Sequence, residues 1–443
     1  MSHGLRALRH RNFRLFLTGQ FISLIGTWMQ TVALGWLVYR LSRSPFLLGV
    51  SGFLGQIPSL FFSPLAGVWA DRWNRHRMVI ATQILAMLQA LAMAALVLSG
   101  RATIVAVLGL TLLLGFVNAM DIPSRQSFVF EMVQGSEDLP SAIALNSSIF
   151  NVARLIGPSV AGILLGIVGE GTVFLLNGLS YVAVIGALLA IRMPRREREA
   201  REPTRVWPHL VEGVHYAAGF APIRAVLMLL ALVSLVGAPY AVLMPIFAAD
   251  VFHGGARTLG FLVGSIGVGA LCGAAFLATR RSVRGLGAVI VRAVTAFGLG
   301  LVALALVRSQ WMAVAVLAVC GFGLMVHMAS SNTILQTLVD HDKRGRVMSL
   351  YTVAFMGTTP IGSLLAGTLA ARVGARWTTA SGGILCLAGA ALFARALPAL
   401  REQVRPIYAR LGIIPEVAKG MQASAEPAST AADTSSDILR RGS

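Results

Sequence analysis

Charge is what this chain has least of. Only 12% of its 443 residues are Asp, Glu, Lys or Arg, about half the share of a soluble domain. With 56% of residues hydrophobic and a mean hydropathy of +0.75, an ordinary water-soluble fold is excluded. Cysteine is also scarce. Cys272, Cys320 and Cys386 lie in apolar runs with no C-x-x-C spacing, so they read as small apolar residues, neither disulfides nor metal ligands. A phosphate loop is missing: Gly264-Ser-Ile-Gly-Val-Gly269 sits inside an apolar run without a following Lys-Ser/Thr. Its glycines suit helix packing, so ATP is not the expected energy source and no cofactor is called for. Alternating ten-residue strands are absent, which excludes a β-barrel. No cleavable signal is visible, because the first apolar run is longer than a signal core.

What the chain does have is a series of apolar runs from Phe13 to Leu397, each of about 20 residues and so long enough to cross a bilayer. We place twelve spans, at about 13–41, 46–70, 78–99, 102–133, 142–168, 172–191, 222–249, 259–279, 287–307, 312–338, 347–373 and 377–397. This is an all-α polytopic membrane protein. The formal net charge of +19 collects in short loops. Arginines crowd after even-numbered spans, at 71–77, 192–205, 280–284 and 343–346, while opposite loops carry isolated charges such as Arg101 or Arg308. The positive-inside rule assigns the arginine-rich side to the cytoplasm, and the even count brings both termini there. No basic stretch is interleaved with base-stacking aromatics, so the charge points to a lipid bilayer and not to nucleic acid. The expected organisation is an N-terminal six-helix bundle at 1–191, a charged cytoplasmic linker at 192–221, a second bundle at 222–400, and a largely disordered tail at 401–443.

The halves resemble one another. Residues around 312–374 repeat those around 106–169 at a displacement of about 205, pairing Gly157 with Gly362, Gly162 with Gly367 and Gly169 with Gly374. Span 10 runs uninterrupted to Leu338. By that parallel span 4 continues to about Val133, which places Asp121 inside the membrane.

Ionisable groups at that depth cost roughly 2.5–3.5 kcal/mol each on insertion scales, so the stretch Leu112–Gly166 stands out. It carries Asp121, Arg125 and Arg154, with Pro123 and Gly157-Pro158. Asp121 and Arg125 are four apart and share a helical face. They form either a self-neutralising ion pair or a working pair: a carboxylate that binds a proton when the pair opens, or an arginine that holds an anionic substrate. Arg154 is a candidate shared partner. Gln20 and Gln30 of span 1 are amides at membrane depth that either bond a neighbouring helix or face a cavity. These residues lead to a secondary transporter.

Two motifs make the chain resemble the major facilitator superfamily. Gly67-Val-Trp-Ala-Asp71-Arg72-Trp-Asn-Arg75-His-Arg77 is similar to its loop 2–3 signature, with Asn74 where glycine is usual. Gly157-Pro158-Ser-Val-Ala-Gly162 is similar to its span 5 antiporter signature. The arginine of the span 4 signature is missing: Leu112, Leu113 and Leu114 precede Gly115. Within the superfamily, Gly26-Thr-Trp-Met-Gln30, Asp121-Ile-Pro-Ser-Arg-Gln126, Asn151-Val-Ala-Arg154 and Leu243-Met-Pro-Ile-Phe247 resemble the group of bacterial enterobactin and macrolide exporters. The resemblance implies two pseudo-symmetric six-helix bundles and alternating access. It implies proton-coupled export of a siderophore or drug-like molecule across a bacterial inner membrane by a monomer that is not an enzyme. Asp121, Arg125, Arg154, Gln30 and Gln126 are the coupling or substrate candidates. Gly67, Asp71, Arg72, Arg75 and Arg77 are expected to latch the cytoplasmic face; Gly157, Pro158 and Gly162 are expected to act in conformational change. Import or facilitated diffusion on the same fold, and a non-transporting receptor, are the competing readings.

Overall fold

A computed structural model of the chain describes residues 3–72, 74–133, 138–191, 206–280, 282–340 and 343–411. Among them are helices and turns and no strand. Eleven continuous helices are long and apolar enough to cross a membrane. One of them, Leu139–Ala190, has 52 residues and holds two crossings, because Gly169 breaks it at φ 74°. Counting it twice gives twelve. Gly374, the repeat partner of Gly169, turns the chain between spans 11 and 12 at φ 87°. Glycine tolerates this left-handed region because it has no Cβ, so both halves fold back at the same point of the repeat.

Spans 1 to 4 are Arg11–Ser42, Pro45–Arg72, Arg75–Leu98 and Ile104–Val133. Spans 5 and 6 are the arms 139–168 and 170–190. Spans 7 to 12 are Ala221–Val251, Ala256–Ala278, Leu286–Leu306, Gln310–Leu338, Arg344–Val373 and Ala375–Arg410. Span 4 reaches Val133, as the internal repeat required. Two regions depart from the sequence reading. A helix, Val206–Gly219, occupies part of the linker, and its Glu212 pairs with Arg346 at the start of span 11. Span 12 continues past Pro398 and Pro406 to Arg410. Its extension is amphipathic, with Leu400 and Val404 buried and Arg401 and Arg405 exposed, so the apolar stripe carries the helix beyond the span. Residues 192–205 and 412–443 of the expected linker and tail lie outside the described residues.

Span 7 is the least regular crossing. After Leu232 it passes through a wide π turn at Val233–Gly237, a tight 3-10 stretch at Ala238–Leu243, and a second π turn at Phe247–Val251. Pro239 and Pro245 each remove a helical donor, which accounts for the break.

The halves meet at two places that the repeat relates. Span 5 crosses span 8 at Gly162 and Gly260, where a Cβ on either glycine would overlap the other's Cα. Span 2 crosses span 11 at Gly49 and Gly367, where a Cβ on Gly49 would lie 2.9 Å from the Gly367 Cα. All four glycines lie toward the ends of their spans away from the arginine-rich loops. The outward surface is apolar: Val105, Ile167, Leu306 and Leu392 are 65–77% exposed, as a lipid-facing surface requires. Trp311 and Trp377 are exposed at the starts of spans 10 and 12, the interfacial position that tryptophan favours.

Candidate functional site

Asp121 is buried within the first bundle. Its Oδ1 accepts hydrogen bonds from Thr82 Oγ1 at 2.8 Å and Gln83 Nε2 at 2.7 Å, both on span 3. Its Oδ2 lies 3.4 Å from Arg125 Nε. The i,i+4 pairing expected from the sequence is therefore present, and span 3 supplies two donors that the sequence did not signal. Arg154 is not among the partners of Asp121. Gln126 is exposed. Gln30 accepts from Asn177 Nδ2 at 2.6 Å and donates to Gln89 Oε1 at 3.0 Å, and Gln89 donates to the Leu110 carbonyl. This amide chain ties spans 1, 6, 3 and 4 together, so of the two readings open for Gln30 the structure places it in contact with neighbouring helices.

Arg154 lies halfway along span 5. Its guanidinium sits over the Trp28 ring of span 1, 5.6 Å from the centroid, and Trp28 meets Phe150 edge-on at 5.7 Å. Gly157, one turn on, is what admits Trp28, because a Cβ there would overlap the Trp28 Cβ. Pro158 has no N–H, so the Arg154 carbonyl loses its helical donor. That carbonyl faces Gly267 of span 8. On span 7, Tyr240 meets Phe297 edge-on at 5.8 Å, and its buried hydroxyl has no hydrogen-bond partner among the described residues. Arg154 forms no ion pair among them either. On span 10, His327 and Ser330 are buried with Nε2 and Oγ unpartnered. Tyr240, His327 and Ser330 were not singled out from the sequence, and Trp28 entered there only within the Gly26–Gln30 motif. A tyrosine or histidine in an apolar run carries no spacing signal, and only their unmet polar atoms mark them.

The loop 2–3 motif divides. Gly67, Asp71 and Arg72 belong to span 2, but their surroundings lie outside what is described. Arg75 and Arg77 open span 3. Asn74, in the position where glycine is usual, caps that helix: its Oδ1 accepts from the Arg77 N–H at 3.2 Å, satisfying a donor that helix starts leave free.

At the opposite end the two halves are bonded across their boundary. The Tyr39 hydroxyl of span 1 donates to Asp250 at the end of span 7. Arg43 lies 3.6 Å from the same carboxylate and 5.7 Å from the Tyr39 ring. Asp250→Asn with Tyr39→Phe removes the anion and the donor together. The double variant is expected to lengthen the main distance between spin labels at Ser42 and Phe252. An unchanged distribution would show that the contact does not hold this end closed.

Two paired bundles with glycine crossings and polar groups at mid-depth define a major facilitator-type transporter. The family described as transmembrane secretion effector matches residues 2–412, and the chain belongs to it. The staphyloferrin A transporter of Staphylococcus aureus is 24% identical over 80% of this chain and 88% of its own length. The multidrug efflux pump Tap of Mycolicibacterium fortuitum is 27% identical over 85% and 93%. Among solved structures, a bacterial homologue of the lysosomal transporter Spinster, inward-facing and occupied, superposes with a TM-score of 0.69 at 14% identity, covering 90% of this chain and 98% of that one. The chain is thus a multi-pass membrane transporter of small molecules and not an enzyme.

Proposed function

We propose that this protein exports a siderophore- or drug-sized molecule from a bacterial cytoplasm by proton antiport and alternating access. In this reading it works as a monomer in the inner membrane with both termini cytoplasmic. The supporting observation is the pair of repeat-related crossings, Gly162 with Gly260 and Gly49 with Gly367. They bring the halves together at the end away from the arginine-rich loops. Backbones that touch without side chains between them can close firmly and part again with little rearrangement. Alternating access needs such a closure. Asp121 supplies the carboxylate for the proton, and Arg154 borders the cargo space between the halves.

Inverted membrane vesicles test direction and coupling, with carboxyfluorescein and ethidium as probes. Acidifying the lumen is expected to drive accumulation of at least one probe, and nigericin to abolish it. Equilibration without accumulation would make the protein a uniporter, and accumulation under the reversed gradient an importer.

A further inference from the structure

Arginine in a membrane interior is costly, and the cost is normally offset by a carboxylate. Asp121 has Arg125 as its counter-charge. Arg154, on span 5, lies over an aromatic ring and has no anion partner among the described residues. We infer that the missing anion arrives with the cargo: Arg154, held over Trp28, forms a subsite for an anionic group, a carboxylate or an acidic oxygen, on the transported molecule. This rests on the transport reading above but not on its direction or its coupling.

Three features of the site fit that ligand. The guanidinium offers a planar fork of donors matched to a carboxylate. Trp28 covers the guanidinium and holds it by a cation–π contact, so the fork is pre-oriented before cargo arrives. No described carboxylate pairs with Arg154, so the fork is free to take one. The Gly157-Pro158 pair builds the site at two points. Gly157 seats Trp28, and Pro158 releases the Arg154 carbonyl from its helical bond where span 5 packs on Gly267 of span 8.

The test is equilibrium binding to the full-length protein in nanodiscs of zwitterionic lipid, without a gradient. The probes are fluorescent dyes of similar size: carboxyfluorescein as the anion and rhodamine 6G as the cation. Wild type is expected to bind carboxyfluorescein at least tenfold more tightly than rhodamine 6G. Arg154→Gln should weaken carboxyfluorescein at least tenfold without weakening rhodamine 6G. Arg154→Lys, which keeps the charge and loses the planar fork, should weaken it about threefold, so the inference stays testable if Arg154→Gln does not fold. Equal or better binding of rhodamine 6G by wild type, no carboxyfluorescein binding, or unchanged carboxyfluorescein binding in the variants would overturn the anion subsite. Because no gradient is applied, that result would leave proton coupling and direction untouched. Conversely, failure of the vesicle experiment would leave this binding pattern unaffected.

Discussion

Gly162→Ala is expected to cut transport at least tenfold in a protein that still folds and inserts. The added methyl group would overlap the Gly260 Cα. The methyl carbon is fixed rigidly to the span 5 backbone and the Gly260 Cα belongs to the span 8 backbone, so relief requires spans 5 and 8 to move apart. Overpacking of this kind costs about 1–3 kcal/mol, and about 1.4 kcal/mol moves an equilibrium tenfold. The strain exists only where the two halves are closed at this end, so it disfavours that state and stalls the cycle. Gly367→Ala, at the repeat-related crossing, should give the same loss, since its Cβ would lie 2.7 Å from the Gly49 Cα. Gly109→Ala is the control, because a Cβ there meets no atom within 4 Å. The measurement is flux of whichever probe wild type carries, alongside thermal stability in detergent. Full activity in Gly162→Ala would show that the crossing does not open and close during transport.

Much of this architecture was legible in the sequence because it follows from length and period. Apolar runs of span length gave the crossings. The displacement of about 205 placed Asp121 inside span 4 and paired Gly169 with Gly374, which turn out to be the two fold-back points. What was not legible depends on contacts between distant elements. Nothing near Asp121 in the chain indicates that Thr82 and Gln83 will reach it. Arg154 and Asp121 both suggested a charge pair, yet each faces different neighbours. Arg154 sits over Trp28 because Gly157 leaves room for it, a relation that needs three positions on two helices. The extension of span 12 was missed because the reading ended with the apolar run at Leu397, whereas the buried stripe of Leu400 and Val404 carries the helix past Pro398 and Pro406.

Asp121→Asn is expected to abolish accumulation driven by a pH gradient while leaving downhill exchange of the probe within about threefold of wild type. Asp121 is the carboxylate at mid-depth among the described spans, and its side chain is 7% exposed. The other described acids of the spans, Asp71, Glu131, Glu170, Asp250 and Glu402, lie toward helix ends. A carboxylate that couples a proton must change charge as the halves move, and here the change has a visible route. The contact to Arg125 is long, 3.4 Å, whereas the Thr82 and Gln83 bonds are 2.8 Å and 2.7 Å. Arg125 can therefore withdraw while span 3 still holds the side chain in place. Asparagine preserves the size and the acceptor oxygen facing Thr82 and Gln83 but can carry no proton, so the carrier keeps its shape and loses its coupling. A purely structural pair predicts something different. Breaking it would cost about 1–3 kcal/mol, lower the melting temperature, and depress uphill and downhill flux together. Measuring both fluxes in proteoliposomes beside thermal stability separates the two. Undiminished accumulation in a stable Asp121→Asn protein would remove Asp121 from the proton path and leave the buried His327 of span 10 as the group to examine next.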